Sequence, residues 1–203
     1  MRVRPVGVDA LLLEVDEPAV WFAELWHRRD LGELTVVEIV PGASTVLLDG
    51  LSDVAGTTEF VRTLSPSTRT DDEPTGLVEI NVAFDGQDLG EVAKYWGTDE
   101  RGVVNRLVQT ELRVAFCGFT PGWAYLAGLP EDLAVPRRPT PRPRVPAGSV
   151  GLADRYAGIY PTASPGGWHL VCRTDATLFD ADRTPPALLT PGTRVRFVET
   201  ELS

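Results

Sequence analysis

The apolar positions of this chain change their spacing near its middle. Ala10–Val15 is an apolar burst, interrupted only by Glu14, short enough for one strand. The next stretch, "DEPAVWFAELWHRRDL", opens with acids and Pro18 and closes with basic residues. Its Val20, Trp21, Leu25 and Trp26 recur at helical spacing, which predicts a helix. "TVVEIVPG" and "STVLLDG" read as two strands joined through Pro41-Gly42, and "DVAGTTEFVRTL" as a second helix. Strand, helix, strand, strand, helix is a split βαβ pattern of the ferredoxin-like kind. Ser65–Gly76 is polar, with two prolines and an acidic cluster, and reads as a surface loop near a boundary.

"LVEINVAF" predicts another strand. "DLGEVAKYWG" and "TDERGVVNRLVQT" predict two short helices, the second with Thr98 as its N-cap. From Leu112 onward, short β-rich runs ("LRVAFCGF", "SVGLA", "GGWHLVCRT", "TRVRFVET") are punctuated by Gly and Pro. This texture predicts a partly closed antiparallel barrel rather than a parallel sheet. The expectation is an α+β chain, with a small N-terminal α/β subdomain over residues 1–84 and a β-barrel over 85–203.

Length and charge narrow the function classes. The 203 residues suffice for a substantial core. Acids outnumber basic residues 29 to 19. That excess argues against nucleic acid or an anionic membrane as partner, since both select a basic face. The apolar run near the N-terminus is too short for a signal peptide or a membrane span, and a cytoplasmic protein is expected. Cys117 and Cys172 are isolated, which suggests free thiols. His27 and His169 are the only histidines, so a zinc or Cys–His catalytic site is hard to build, and no metal is expected on this chain.

Three segments carry candidate chemistry: Gly118–Leu129 ("GFTPGWAYLAGL"), Val135–Gly151 ("VPRRPTPRPRVPAGSVG") and Gly158–Leu170 ("GIYPTASPGGWHL"). The middle one crowds prolines and arginines. A proline-rich backbone is stiff, so its arginines lose less entropy on binding, and guanidinium is a bidentate partner for carboxylate or phosphate. Arg137, Arg138 and Arg142 are therefore candidates to hold a small anion. Gly148-Ser149 and Gly166-Gly167, next to Pro165, allow close backbone approach. Tyr125, Tyr160 and Trp168, with Trp123, could wall a pocket. The alternative is that the arginines are solvated or pair with the surplus acids, and that Trp168 is a core residue after a turn. Ser149 has no evident base, which disfavours a serine nucleophile. His169 reads as a strand residue. Glu111 and Asp154 are candidate acid–base groups with no visible pairing. If the arginines hold substrate, replacing Arg138 or Arg142 should leave stability nearly unchanged.

The run from Gly118 to Gly151, then "GIYPTASPGGWHLV" and "PPALLTPGTRVRFV", resembles the family of 5-oxoprolinase B subunits. The same family is known as allophanate hydrolase subunit 1 or carboxyltransferase subdomains C and D, and includes a sporulation-kinase inhibitor. The resemblance implies a cyclophilin-like barrel behind the N-terminal subdomain. It implies a heteromer with a larger C-type subunit that, with a further A-type subunit, opens 5-oxoproline to glutamate using ATP. Allophanate hydrolysis, transfer of carboxylate to urea, and histidine-kinase inhibition are the family's other roles. Its motif positions fall on Pro121, Gly122, Tyr125, Arg137, Arg138, Arg142, Pro146, Gly148, Ser149, Tyr160, Pro161, Pro165, Gly166, Gly167 and Trp168. The chain departs where the family has a helix histidine (here Leu107), a Gln-Thr pair (Tyr156, Ala157) and a late glycine (Cys172). The resemblance assigns no biotin to this chain.

Overall fold

The computed structural model describes residues 1–66 and 76–202. Most of the expected Ser65–Gly76 loop lies outside the described residues. The chain forms two compact units, Met1–Glu73 and Pro74–Ser203.

The first unit contains β1 (Arg2–Val6), β2 (Ala10–Glu14), α1 (Pro18–Asp30), β3 (Glu38–Pro41), β4 (Thr45–Asp49) and α2 (Val54–Thr63). Its sheet has the order β1-β2-β4-β3, with every pair antiparallel. Because β4 lies between β2 and β3, β2–α1–β3 is the split βαβ unit that the patterning predicts. Strand β1 takes the fourth position. The patterning does not reveal it, since only Val3 of its five residues is even partly shielded. Leu11, Leu13, Leu25, Val46, Leu48 and Val61 are fully buried and form the core of this unit. Trp26, expected on the buried face of α1, is exposed, with the Arg29 guanidinium 5.0 Å above its ring.

The second unit begins with β5 (Leu77–Val82), α3 (Leu89–Tyr95), α4 (Glu100–Gln109), β6 (Leu112–Cys117) and β7 (Ala124–Ala127). It continues through β8 (Arg142–Val145), β9 (Ser149–Ala153), β10 (Tyr156–Ile159), β11 (Ser164–Gly166), β12 (His169–Arg173) and β13 (Arg194–Glu199). Seven strands make one sheet in the order β12-β9-β10-β7-β6-β13-β5, while β8 and β11 pair with each other. Beyond the strand ends, Ala83 and Arg173 exchange two backbone hydrogen bonds of 2.9 Å. That bridge brings the outer strands together and nearly closes the barrel.

Three expectations change. Strand β5 pairs in parallel with β13, from Leu77 opposite Arg194 to Val82 opposite Glu199, so the barrel is not purely antiparallel. The same pairing draws Leu77–Val82 into the barrel unit, and the compact units divide at Glu73/Pro74 rather than at 84/85. The N-cap of α4 is Asp99, whose carboxylate accepts the Gly102 N–H at 2.7 Å, in place of Thr98. Among the described residues, no helix is long and apolar enough to cross a membrane.

Helix α4 packs Val103, Val104 and Leu107 into the barrel core with Trp96, Leu112 and Phe197. Leu107 is wholly buried, in the position where the family resemblance places a histidine. We predict that Leu107→Ala destabilises the chain by about 2–5 kcal/mol, the range for leucine truncation in a packed core. Urea denaturation followed by tryptophan fluorescence measures it, and a loss below about 1 kcal/mol would contradict this placement.

Candidate functional site

The three candidate segments meet on one side of the barrel, and their organising group is an acid that patterning did not single out. The chain leaving β5 runs along β12. There the Gly86 N–H donates to Val171 O at 3.2 Å and the Asp88 N–H to Leu170 O at 2.9 Å. Gly86 is required by this contact, since a Cβ there would lie 2.3 Å from the Val171 carbonyl carbon. The approach delivers Asp88, the residue before α3, into the interior, where it is 4% exposed.

The Asp88 carboxylate joins three elements. Its Oδ2 accepts the Leu170 N–H of β12 at 2.7 Å. Its Oδ1 accepts from the Arg142 guanidinium at 2.7 Å and from Arg138 at 3.1 Å. Arg138 also reaches Glu91 Oε2 at 3.2 Å, while Arg142 reaches the Trp168 carbonyl at 3.4 Å. The Arg138 backbone N–H donates to Gly167 O at 2.8 Å. The arginine-proline segment is thus a strap fastened to α3 and β12 by charge-assisted bonds. It also adopts strand conformation: β8 pairs with β11, Val145 opposite Ser164 and Arg142 opposite Gly166. Such a small two-stranded pair tolerates prolines that a central strand would not.

His169 lies beneath the strap and is 1% exposed. Its Nε2 is 2.9 Å from the Pro136 carbonyl. A carbonyl only accepts, so Nε2 carries the hydrogen. Nδ1 then faces Glu91 Oε2 at 3.5 Å, buried and without a hydrogen-bond partner. The Tyr95 ring meets the imidazole edge-on at 5.6 Å.

The remaining candidates divide between structural and accessible positions. Gly148 has φ +80°, and a Cβ there would stand 2.1 Å from the Thr174 carbonyl oxygen, so packing alone demands glycine. Gly166 lies against the Tyr160 hydroxyl, 2.1 Å from where its Cβ would be, whereas Gly167 has ordinary space around it. Ser149 is buried at the start of β9, and its carbonyl accepts the Tyr160 N–H at 2.9 Å. Trp123, Tyr160 and Trp168 are buried in an edge-to-face cluster with ring centroids 4.7 and 5.2 Å from Trp123. Burial pushes the Tyr160 hydroxyl above its ordinary range; its hydrogen bond to the Trp168 backbone and the charges of Arg137 and Arg142 oppose that. Tyr125 is half-buried and stacks on Phe116 at 4.3 Å. Pro165, Arg137 and Arg144 are exposed, and no ion pair engages Arg137 or Arg144 among the described residues.

Glu111 and Asp154 do not behave as an acid–base pair. Hydrogen bonding to Arg194 holds the Glu111 carboxyl below its usual range. Asp154, at φ +51°, exchanges backbone hydrogen bonds with Val135. Both cysteines are free, and burial pushes the thiols of Cys117 and Cys172 upward, leaving both poor nucleophiles. The signal that could have located Asp88 and Glu91 was their place just before and within the first turn of a short helix ahead of an arginine-rich segment. No periodicity argument connects positions so far apart in the chain.

The family model described as "Carboxyltransferase domain, subdomain C and D" matches residues 1–189. The chain is 37% identical to the 5-oxoprolinase B subunit of Escherichia coli O157:H7, covering 95% of this chain and 93% of the relative. It is 36% identical to that of Haemophilus influenzae, covering 98% and 97%. The crystal structure of TTHA0988 superposes with a TM-score of 0.77 at 34% identity, over all of this chain but only 41% of that one. The Kluyveromyces lactis urea carboxylase is alike in fold, with a TM-score of 0.69 at 19% identity, and this chain covers 22% of it.

The expectation that Arg142 can be lost at no structural cost is revised. Arg142→Ala strips a partner from a buried carboxylate and should destabilise the isolated chain by about 1.5–3 kcal/mol. Arg144→Ala, at an exposed position of the same strand, should stay within about 0.5 kcal/mol. Parallel urea titrations test this, and equal stability of the two variants would show that the strap is not fastened through Asp88.

Proposed function

The chain belongs to the carboxyltransferase-domain family, subdomains C and D, and from that premise we propose that it is the B-type subunit of a 5-oxoprolinase. The observation that carries this reading is the near end-to-end match to two proteins named as 5-oxoprolinase B subunits, at 37% and 36% identity. The reaction is the ATP-driven opening of 5-oxoproline to glutamate, with a larger C-type subunit and a further A-type subunit completing the complex in the cytoplasm. ATP is consumed by the assembly.

Two features support dependence on a partner. Among the described residues, no base is hydrogen-bonded to Ser149 or to either cysteine. This chain also corresponds to less than half of TTHA0988 and to a smaller fraction of the urea carboxylase, where a module of the same fold is continuous with further chain. On the proposed reading, the C-type subunit corresponds to that further part. Arg137, exposed beside the strap, is the cation best placed to meet a carboxylate or phosphate arriving from it. Arg138 and Arg142 would act through the shape of the strap, since both already pair with buried Asp88 and Arg138 also with exposed Glu91.

Co-expression of this chain with its C-type and A-type subunits tests the proposal. 5-Oxoproline-dependent phosphate release should appear in the mixed complex and be absent from each purified component. Turnover by this chain alone would overturn the shared-site reading. A stable complex that hydrolyses allophanate but not 5-oxoproline would overturn the substrate.

A further inference from the structure

We propose that Asp88, Glu91 and His169 form a divalent-cation site whose place is held by the Arg138 guanidinium, so that metal and Arg138 exclude one another. This goes beyond the proposed 5-oxoprolinase role and does not rest on it.

One ligand atom from each of these residues lies within 4.8 Å of the others. Acids alone would not make a site, but the imidazole adds an independent observation. The Pro136 carbonyl fixes a hydrogen on Nε2, so the neutral imidazole carries its lone pair on Nδ1. That lone pair is buried, has no partner and faces Glu91 Oε2 at 3.5 Å. Two lone-pair-bearing atoms facing each other can share a cation between them. A ring N–H donated to a backbone carbonyl is also the support that metal-bound imidazoles commonly have. The separation of 3.5 Å between Nδ1 and Oε2 matches the spacing of two ligands on tetrahedral zinc, about 3.3–3.6 Å. The widest separation would need to close by about 1 Å.

At present the cation is Arg138. Its terminal nitrogen is 3.1 Å from Asp88 Oδ1 and 3.2 Å from Glu91 Oε2, between the two carboxylates. It does not reach His169 Nδ1 with a hydrogen bond, and its own Nε is buried without a partner. The guanidinium therefore fits the acids but leaves two buried polar atoms unsatisfied, a costly arrangement. An ion at the same place would engage the imidazole and release Arg138. Arg142 and the Leu170 N–H would keep Asp88 oriented. With Arg138 displaced, Asp88 and Glu91 against Arg142 leave one net negative charge to attract the ion. A shallow hollow lined by Glu91, Lys94 and Tyr95 gives access from solvent. Two carboxylates and one imidazole suit zinc or manganese better than magnesium. Three protein ligands would leave a position open.

Isothermal titration of the full chain with zinc chloride, alongside magnesium chloride, tests the site. Zinc should bind one per chain, with magnesium markedly weaker. Arg138→Ala should tighten zinc binding, because it removes the competing cation. Glu91→Gln, at a half-exposed position, and His169→Ala should each weaken it by about tenfold or more. The proposal falls if the Arg138→Ala chain binds no zinc stoichiometrically. It falls equally if zinc binds but Glu91→Gln leaves the affinity unchanged, or if Arg138→Ala weakens it.

Discussion

The carboxylate of Asp88 is the constraint on which the second unit's surface depends. It is almost fully buried, and a buried charge is tolerated only when it is paired and hydrogen-bonded. Two guanidiniums and a backbone N–H meet that requirement here. The consequence runs in both directions. The carboxylate is stable because the strap covers it, and the strap has a defined path because its arginines converge on the carboxylate. An acidic chain thus places cations on a proline-rich segment for an internal reason before any ligand is considered.

That arrangement reassigns the roles of the candidate residues. Arg138 and Arg142 shape the site, whereas Arg137 and Arg144 remain directed outward. Gly148 and Gly166 are glycines because neighbouring atoms leave no room for a side chain. Trp168 serves the core and the strap at once, since its carbonyl lies near Arg142 while its ring packs against Trp123. The buried aromatic cluster therefore stiffens the floor under the strap, and interior packing and site geometry are one problem here.

Much of the fold was legible in local patterning. The apolar run at Ala10–Val15 and the helical spacing after it led to the split βαβ unit. Gly- and Pro-punctuated β runs after Leu112 led to the barrel. What escaped was non-local or lacked contrast. Strand β1 exposes nearly all its residues and carries no alternation. The parallel pairing of β5 with β13 joins segments separated by most of the unit, and no turn signal marks it. The segments of the site were visible through their Pro, Gly, Arg and Trp content, but Asp88 and Glu91 were not. Their importance comes from burial and convergence, which only the folded chain supplies. His169 read as an ordinary strand residue for the same reason.

The claim that Asp88 and Arg142 act as one fastening is open to a double-mutant cycle on the isolated chain. The four proteins are wild type, Asp88→Ala, Arg142→Ala and the double variant, each unfolded in urea at one pH and salt concentration. Residues in one ion-pair network couple by about 0.5–3 kcal/mol. The account predicts coupling in the upper half of that range, with the double variant losing less than the sum of the single variants. Additive losses, with coupling indistinguishable from zero, would contradict it.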